Sequence, residues 1–356
     1  MLNLNTPGQI PDESVNIHVR AKMSWQQVNL KIETRNAAEN FTLLQEMKEQ
    51  GRVKSMSDMP KGKGPILLCG SGSSFNPVIK RLNEFPGPVW CSTSQAATIA
   101  HEGRPPDVVI AVDPNCNTAH NELEITPGGW DKTTYLTHPS APPAYFRMWC
   151  YKTTQPIYLF RILEPSYDWY SFHMPAVYPW IKTALLPFID AGASLISLAA
   201  KQGYDPIYLV GYDFGGFRFN IWRWAKSEWI YEPENNIVMD GPEGPGGLRS
   251  SEVMLYAMRG SYITAFMAMN QAIKPIRIYN LAEKTNMIHI PKCTFEDAIA
   301  GNVPTWSEEF KAEANFAIES YLAKNDTFMV PIAVNMGSDY RVYMLKYPTL
   351  IQIMMR

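Results

Sequence analysis

The middle of the chain alternates short apolar runs with stretches whose apolar residues recur at helical spacing. The runs contain few polar residues, which is typical of strands that are buried on both faces of a sheet. Strands that alternate with helices predict a parallel sheet. The predicted strands are residues 66–69, 88–91, 107–112, 134–137, 156–160, 206–210 and 276–280. The pattern therefore indicates an α/β fold, with a Rossmann-like, open and mostly parallel sheet over residues 64–290.

The segments that flank this core have other patterns. Between Trp25 and Glu49 the apolar residues recur at approximately helical spacing, which predicts a helix that stops near Gly51. We assign residues 1–63 to an N-terminal helical region. Residues 291–356 form a C-terminal α/β extension, with a predicted amphipathic helix over 305–324 and β-type apolar runs over 328–355. Inside the core, helices are predicted from the end of the turn at 70–74 to about residue 84 and over 94–101, 193–202 and 252–273.

Composition and charge narrow the partners and the compartment. The 356 residues include 32 Lys+Arg and 34 Asp+Glu, a net charge of −2, so we expect no broad surface for nucleic acid. No apolar run reaches the roughly 18 residues of a membrane span, and the N-terminus lacks the pattern of a secretory signal. The five cysteines are an odd number without a CxxC pair, which disfavours a disulfide framework and favours a cytoplasmic location.

A glycine- and serine-rich turn follows the first predicted core strand. It reads Gly70-Ser71-Gly72-Ser73-Ser74 and leads into a helix-compatible stretch. Glycines let a ligand approach the backbone closely, hydroxyls donate hydrogen bonds, and a helix N-terminus favours anionic groups. Ligands of such folds gather at the carboxyl ends of the strands, so we predict that these five residues contact a phosphate or nucleotide. The alternative is an ordinary strand-to-helix turn.

Two aspartates end other predicted strands. Asp113 closes the strand 107–112 and precedes Pro114, and Asp213 follows the strand 206–210. A carboxylate in this position can hold a divalent ion that bridges phosphates, or it can bind a ribose or sugar hydroxyl. We predict both aspartates as ligands of Mg²⁺, the candidate cofactor, and Asp113 also as a catalytic residue. Each can instead be a loop-capping residue.

Four further residues are candidates for the same site. His138 follows the strand 134–137, and an imidazole that titrates near neutrality suits general-base work on a sugar hydroxyl. A lone histidine is more often structural. Gly192 and Ser194 open a predicted helix and Tyr212 follows the strand 206–210, so we predict that these three residues contact the nucleotide. The helix start can also be a plain N-cap.

Several short motifs occur in an informative order. They are Arg35-Asn36-Ala37-Ala38-Glu39-Asn40-Phe41, the turn at 70–74, Val112-Asp113-Pro114, Thr137-His138-Pro139, the helix start at 192–194, Gly211-Tyr212-Asp213 and Tyr279-Asn280-Leu281. Together they resemble the MptE-like family of 6-hydroxymethylpterin diphosphokinase-like domains. That family includes archaeal enzymes that move diphosphate from ATP to a pterin alcohol, motility-associated flagellin glycosyltransferases, and phage and bacterial members of unknown activity. The turn is also similar to that of a bacterial sialyltransferase family, in which a nucleotide sugar lies over the loop and a histidine is the base.

The resemblance implies one of two reactions. In a diphosphokinase, residues 70–74 would hold phosphates, and Asp113 with Asp213 would bind Mg²⁺. In a glycosyltransferase, the same turn would hold the nucleotide of an activated sugar, with His138 as the base; we favour this second reaction. A third interpretation is a non-catalytic binding or assembly protein on the same fold. We expect a nucleotide-type small molecule as the partner, and the acceptor and a homo-oligomeric state stay open.

Overall fold

The secondary structure comes from a computed structural model that describes residues 13–70, 73–101, 104–112, 130–162, 173–185, 191–212, 223–225, 228–230, 277–282, 290–304, 329–335 and 340–346. The strands are β1 (Val53–Ser55), β2 (Ile66–Cys69), β3 (Val89–Ser92), β4 (Val108–Ile110), β5 (Thr134–Thr137), β6 (Ile157–Leu159), β7 (Arg161–Ile162), β8 (Ala184–Leu185), β9 (Ile207–Val210), β10 (Arg223–Ala225), β11 (Glu228–Ile230), β12 (Ile278–Asn280), β13 (Met329–Asn335) and β14 (Tyr340–Lys346). The helices are α1 (Glu13–Glu49), α2 (Asn76–Ile79), α3 (Thr93–His101), α4 (Pro143–Lys152), α5 (Met174–Val177), α6 (Ala191–Gln202) and α7 (Phe295–Ala300).

The main sheet confirms the predicted Rossmann-like α/β fold. It has eight strands in the order β1-β6-β5-β4-β3-β2-β9-β12. Every neighbouring pair in it is parallel. The other described strands form two-stranded pairs of their own, β7 with β8, β10 with β11 and β13 with β14.

Burial on both faces explains why the core strands contain no polar alternation. Leu67 and Cys69 of β2 belong to a buried cluster that includes residues of α1, α3 and α4, whereas Ile66 and Leu68 belong to a second cluster with α6. Successive side chains of a pleated strand point to opposite faces, so each layer receives every second residue. All four side chains are fully buried. The sheet is therefore covered by helices on both sides, as the apolar runs predict.

The order of the strands reverses at β2. From β2 the chain adds β3, β4, β5 and β6 in succession on one side, and it later places β9 and β12 on the other side. Cys69 pairs in register with Cys91 of β3 on one side and with Val210 of β9 on the other. In open α/β sheets such a reversal leaves a crevice outside the carboxyl ends of the two strands, where ligands bind. The ends of β2 and β9 are therefore the place to look for a site.

The segment after the glycine-serine turn differs from the single helix predicted up to residue 84. It consists of a 3-10 turn at Ser73–Phe75, the short helix α2 and a second 3-10 turn at Leu82–Glu84. The helix α2 accommodates Pro77 in its first turn, where no N–H is needed, and it ends after Ile79, before the predicted end. The buried side chains of these short segments, such as Val78 and Leu82, still reach the core.

Strands are also found outside the predicted core of residues 64–290, on both sides of it. β1 lies in the range 1–63 that was assigned to a helical region, yet it pairs with β6 at the edge of the sheet. In the C-terminal extension, β13 and β14 pair antiparallel, in agreement with the predicted β structure. The predicted helices over 252–273 and 305–324 lie outside the described residues. None of the helices in the described part combines the length and apolar character needed to cross a membrane.

Candidate functional site

Gly70 and Gly211 are the first residues after β2 and β9, and they bring the two strand ends into close contact. The N–H of Gly70 donates to the carbonyl of Val210 at 2.7 Å. A Cβ at position 70 would lie 2.5 Å from the carbonyl oxygen of Gly211, so the close approach requires glycine. Gly211 has a φ of +75°, a conformation that glycine adopts without strain. The two strand ends thus pack backbone against backbone where the strand order reverses.

Ser74 and Tyr212 tie this contact to the neighbouring segments. The Ser74 Oγ accepts a hydrogen bond from the N–H of Gly211 at 2.9 Å. The Tyr212 hydroxyl donates to the carbonyl of Gly192, in the first turn of α6, at 3.4 Å. Four residues predicted from sequence to contact a nucleotide, Gly70, Ser74, Gly192 and Tyr212, therefore lie together at the carboxyl ends of β2 and β9.

Two buried side chains complete this part of the site. Ser194 lies in the same turn of α6 and is 3% exposed. Asn280, the last residue of β12, donates from Nδ2 to the carbonyl of Tyr212 at 3.2 Å, and its Oδ1 accepts from the N–H of Ala282 at 2.9 Å. Asn280 was part of a sequence motif but was not predicted as a site residue. A fully buried amide at the end of an apolar strand is the signal that points to it.

His138 lies at the carboxyl end of β5 and is completely buried. Its Nε2 is 3.2 Å from the carbonyl oxygen of Val112, and its ring contacts that of Phe160, with the ring centres 6.0 Å apart. A carbonyl oxygen can only accept, so in the neutral imidazole Nε2 carries the proton and Nδ1 has the free lone pair. Nδ1 has no hydrogen-bond partner.

The surroundings of His138 hold the imidazole neutral. Burial lowers the pKa of His138 to about 4, because desolvation penalises the charged ring more than the contact with the Val112 carbonyl stabilises it. A neutral ring at physiological pH can accept a proton. General bases work best when their pKa lies near the working pH, and the pKa of His138 lies well below neutrality in the ligand-free protein.

The turn that carries His138 is held by the N-terminal helix. Asn40 donates from Nδ2 to the carbonyls of Pro139 and Ala141, each at 2.8 Å. Asn36 donates from Nδ2 to the carbonyl of Ser140 at 3.1 Å. Both asparagines are nearly or fully buried. The motif at 35–41 was recognised from sequence only as a landmark, and its contact with the 138–141 turn is a feature that sequence reasoning missed.

The structure does not bring every predicted residue together. His138 and Gly70 lie at the same edge of the sheet, but β5 and β2 are separated by β4 and β3. At about 4.8 Å per strand, their backbones are about 14 Å apart. Ser71, Gly72, Asp113 and Asp213 lie outside the described residues, and the side chain of Ser73 is not described, so their roles stay predictions. Among the described residues, no group of three or more His, Cys, Asp or Glu side chains could hold a metal ion.

Comparisons with known proteins find similarity in the solved structures alone. No family model and no curated protein matches the chain. Among solved structures, the MAf glycosyltransferase from Magnetospirillum magneticum AMB-1 is similar to it, with 15% sequence identity and a TM-score of 0.46 over 72% of this chain. This chain spans 37% of the length of that protein. At this level the similarity gives no information about activity.

Proposed function

We propose that the protein is a nucleotide-dependent transferase that moves a glycosyl group from a nucleotide-activated sugar to an acceptor hydroxyl. The observation that supports it best is the reversal of the strand order at β2, where Gly70 and Gly211 pack together at the ends of two neighbouring strands. A nucleotide can bind in the crevice outside these strand ends, next to the partly exposed Gly70, and the contacts of Ser74 and Tyr212 hold the strand ends in place. The resemblance of the sequence motifs to a family with glycosyltransferase members suggests the reaction.

His138 is the proposed base. In the transfer step, the acceptor oxygen forms a bond to the anomeric carbon of the sugar as its proton passes to Nδ1 of His138. The bond from that carbon to the phosphate oxygen breaks, and the nucleotide leaves with the electron pair. A buried ring with a free Nδ1 lone pair suits this role once the acceptor displaces the packing over it, because water is excluded from the reacting atoms.

The spacing along the sheet edge sets the orientation of the donor. If His138 takes the proton, the anomeric carbon lies near the end of β5, about 14 Å from the end of β2. A phosphate bound directly at Gly70 would be too far from that carbon. We therefore place the nucleoside at β2 and β9, with the phosphate running across β3 and β4 toward His138.

Thermal unfolding against CMP, CDP, UDP, GDP, ADP and ATP, each with and without Mg²⁺, tests the proposal. A nucleotide at 100 times its dissociation constant adds about 2.7 kcal/mol to the free energy of unfolding, which a melting experiment detects easily. Stabilisation by CMP or a nucleoside diphosphate without metal supports sugar transfer. Stabilisation by ATP only with Mg²⁺ would replace it with diphosphate transfer to a pterin-like alcohol. If no nucleotide shifts the transition, both enzymatic functions fail and a non-catalytic binding or assembly role remains.

A further inference from the structure

The buried face of α1 changes from apolar to polar along its length. Leu44 and Met47 pack in the core cluster, as expected for a helix that covers a sheet. One and two turns earlier on the same face, Asn40 and Asn36 are 0% and 2% exposed. Buried amides are costly unless they are hydrogen-bonded, so their presence indicates a specific task. That task is the contact with the turn at 138–141.

His138 is held from two sides. The amides of Asn36 and Asn40 bind the three carbonyls that follow it, and the turn closes on itself through the N–H of Ala141, which donates to the His138 carbonyl at 3.0 Å. On the other side, the imidazole Nε2 donates to the carbonyl of Val112 at the end of β4. The α1 contacts fix the backbone of the histidine, and the β4 contact fixes its ring.

Three buried polar atoms at this turn have no hydrogen-bond partner. They are Nδ1 of His138, Oγ of Ser140 and Oδ1 of Asn40. Nδ1 of His138 and Oδ1 of Asn40 can only accept here, so each of them would be satisfied by a donor such as a hydroxyl. Orphaned buried acceptors cost free energy, which a bound hydroxyl ligand would recover.

We infer that Asn40, supported by Asn36, is a positioning residue that holds His138 with Nδ1, rather than Nε2, directed to the acceptor hydroxyl. The inference rests on the proposed function for the identity of the proton donor. The placement of the ring is a property of the protein alone. Removing the Asn40 amide frees two backbone carbonyls of the turn at once, and the imidazole then loses its single orientation.

NMR of the full-length protein with ¹⁵N-labelled histidine tests the placement of the ring without any substrate. His138→Gln identifies the signal, and a pH series follows it. In the wild type we expect the Nε2–H tautomer and a titration midpoint well below that of a free histidine. In Asn40→Ala we expect a mixture of both neutral tautomers and a midpoint raised by one pH unit or more. Asn36→Ala removes one hydrogen bond instead of two, so its change should be smaller and in the same direction.

Thr42→Ala, on the exposed side of α1, is the matched control and should leave both signatures unchanged. A folded Asn40→Ala protein with the wild-type tautomer and midpoint would overturn the inference. If Asn40→Ala does not fold, Asn36→Ala decides in the same way. The nucleotide melting experiment is independent of this NMR test. If Asn40→Ala alters the His138 signals but no nucleotide raises Tm, the positioning role stands and the proposed function fails.

Discussion

Gly70→Ala tests the geometry of the strand ends most directly, because the structure has no space for the new Cβ. It would lie 2.5 Å from the carbonyl oxygen of Gly211, 3.0 Å from its carbonyl carbon and 3.1 Å from Cδ2 of Tyr212. Two of these atoms are backbone, and the hydrogen bond from the Gly70 N–H to Val210 holds the strand ends together. Overpacking of this kind costs about 1–3 kcal/mol. At about 2–4 °C per kcal/mol for a domain of this size, Tm should fall by about 2–12 °C.

Gly87→Ala separates this local effect from a general loss of stability. Its Cβ would lie 2.2 Å from the carbonyl oxygen of Pro65, a clash of the same type, but at the opposite ends of β2 and β3. We expect both variants to melt earlier and only Gly70→Ala to lose the nucleotide-induced rise in Tm. A Gly70→Ala protein with wild-type Tm and nucleotide response would refute the geometry. Equal loss of the nucleotide response in both variants would refute the location of the site.

Three other changes probe the site and its support. Burial lowers the pKa of His138 from 6.5 to about 4, so between these pH values the unfolded chain binds a proton that the folded protein does not. The free energy of unfolding should therefore be highest above pH 6.5 and fall by on the order of 3 kcal/mol as the pH drops to 4. In His138→Gln, chemical denaturation at a series of pH values should show a flatter profile over this range. Ser74→Ala leaves the buried N–H of Gly211 without its 2.9 Å acceptor, so chemical denaturation should show a loss of about 1–3 kcal/mol, and an unchanged midpoint would contradict the contact. Tyr178→Phe removes the 2.8 Å hydrogen bond to the Ala37 carbonyl and should cost about 1 kcal/mol, whereas a neutral result would mean that this bond does not help to dock α1.

The fold could be predicted because the burial of the sheet is visible in the sequence. β2 and β9 are predicted from runs such as Ile66-Leu67-Leu68-Cys69, in which no polar residue interrupts the apolar series. Both faces of these strands are covered by helices, so hydrophobicity alone marks them. The segment after the glycine-serine turn was predicted as one helix, whereas it consists of the short helix α2 between two 3-10 turns, and its apolar spacing does not distinguish these two arrangements.

For the site, the sequence predicts only which residues lie at the ends of strands. Gly70, His138 and Tyr212 each follow an apolar run, which suffices to place them at one edge of a parallel sheet. Their distances depend on the order of the strands, and no local pattern encodes that β9 returns beside β2. The contact between Ser74 and Gly211 joins residues 137 positions apart. For the same reason the distance between His138 and the glycine turn could not be predicted from the sequence.

The amides of α1 show a second limit of sequence reasoning and a way around it. Asn36 and Asn40 bind carbonyls about 100 positions later, so their partners cannot be read from the chain. That the two asparagines are buried can be predicted, because both fall on the helical face that also carries Ala37, Leu44 and Met47. An amide in an otherwise apolar stripe predicts a buried hydrogen bond to another segment, even when the segment is unknown.

The distance between the two polar centres constrains any reaction at this edge of the sheet. Gly70 and His138 are about 14 Å apart across β3 and β4, more than one phosphate group can span. A mechanism that uses both needs an extended ligand, with its binding part at β2 and β9 and its reacting atom near β5. The carbonyl of Val112, which holds the imidazole, is contributed by the residue before Asp113. The predicted catalytic aspartate is thus adjacent in sequence to a residue that orients the proposed base, so the proposed function assigns the chemistry to β4 and β5 and nucleotide recognition to the switch in strand order.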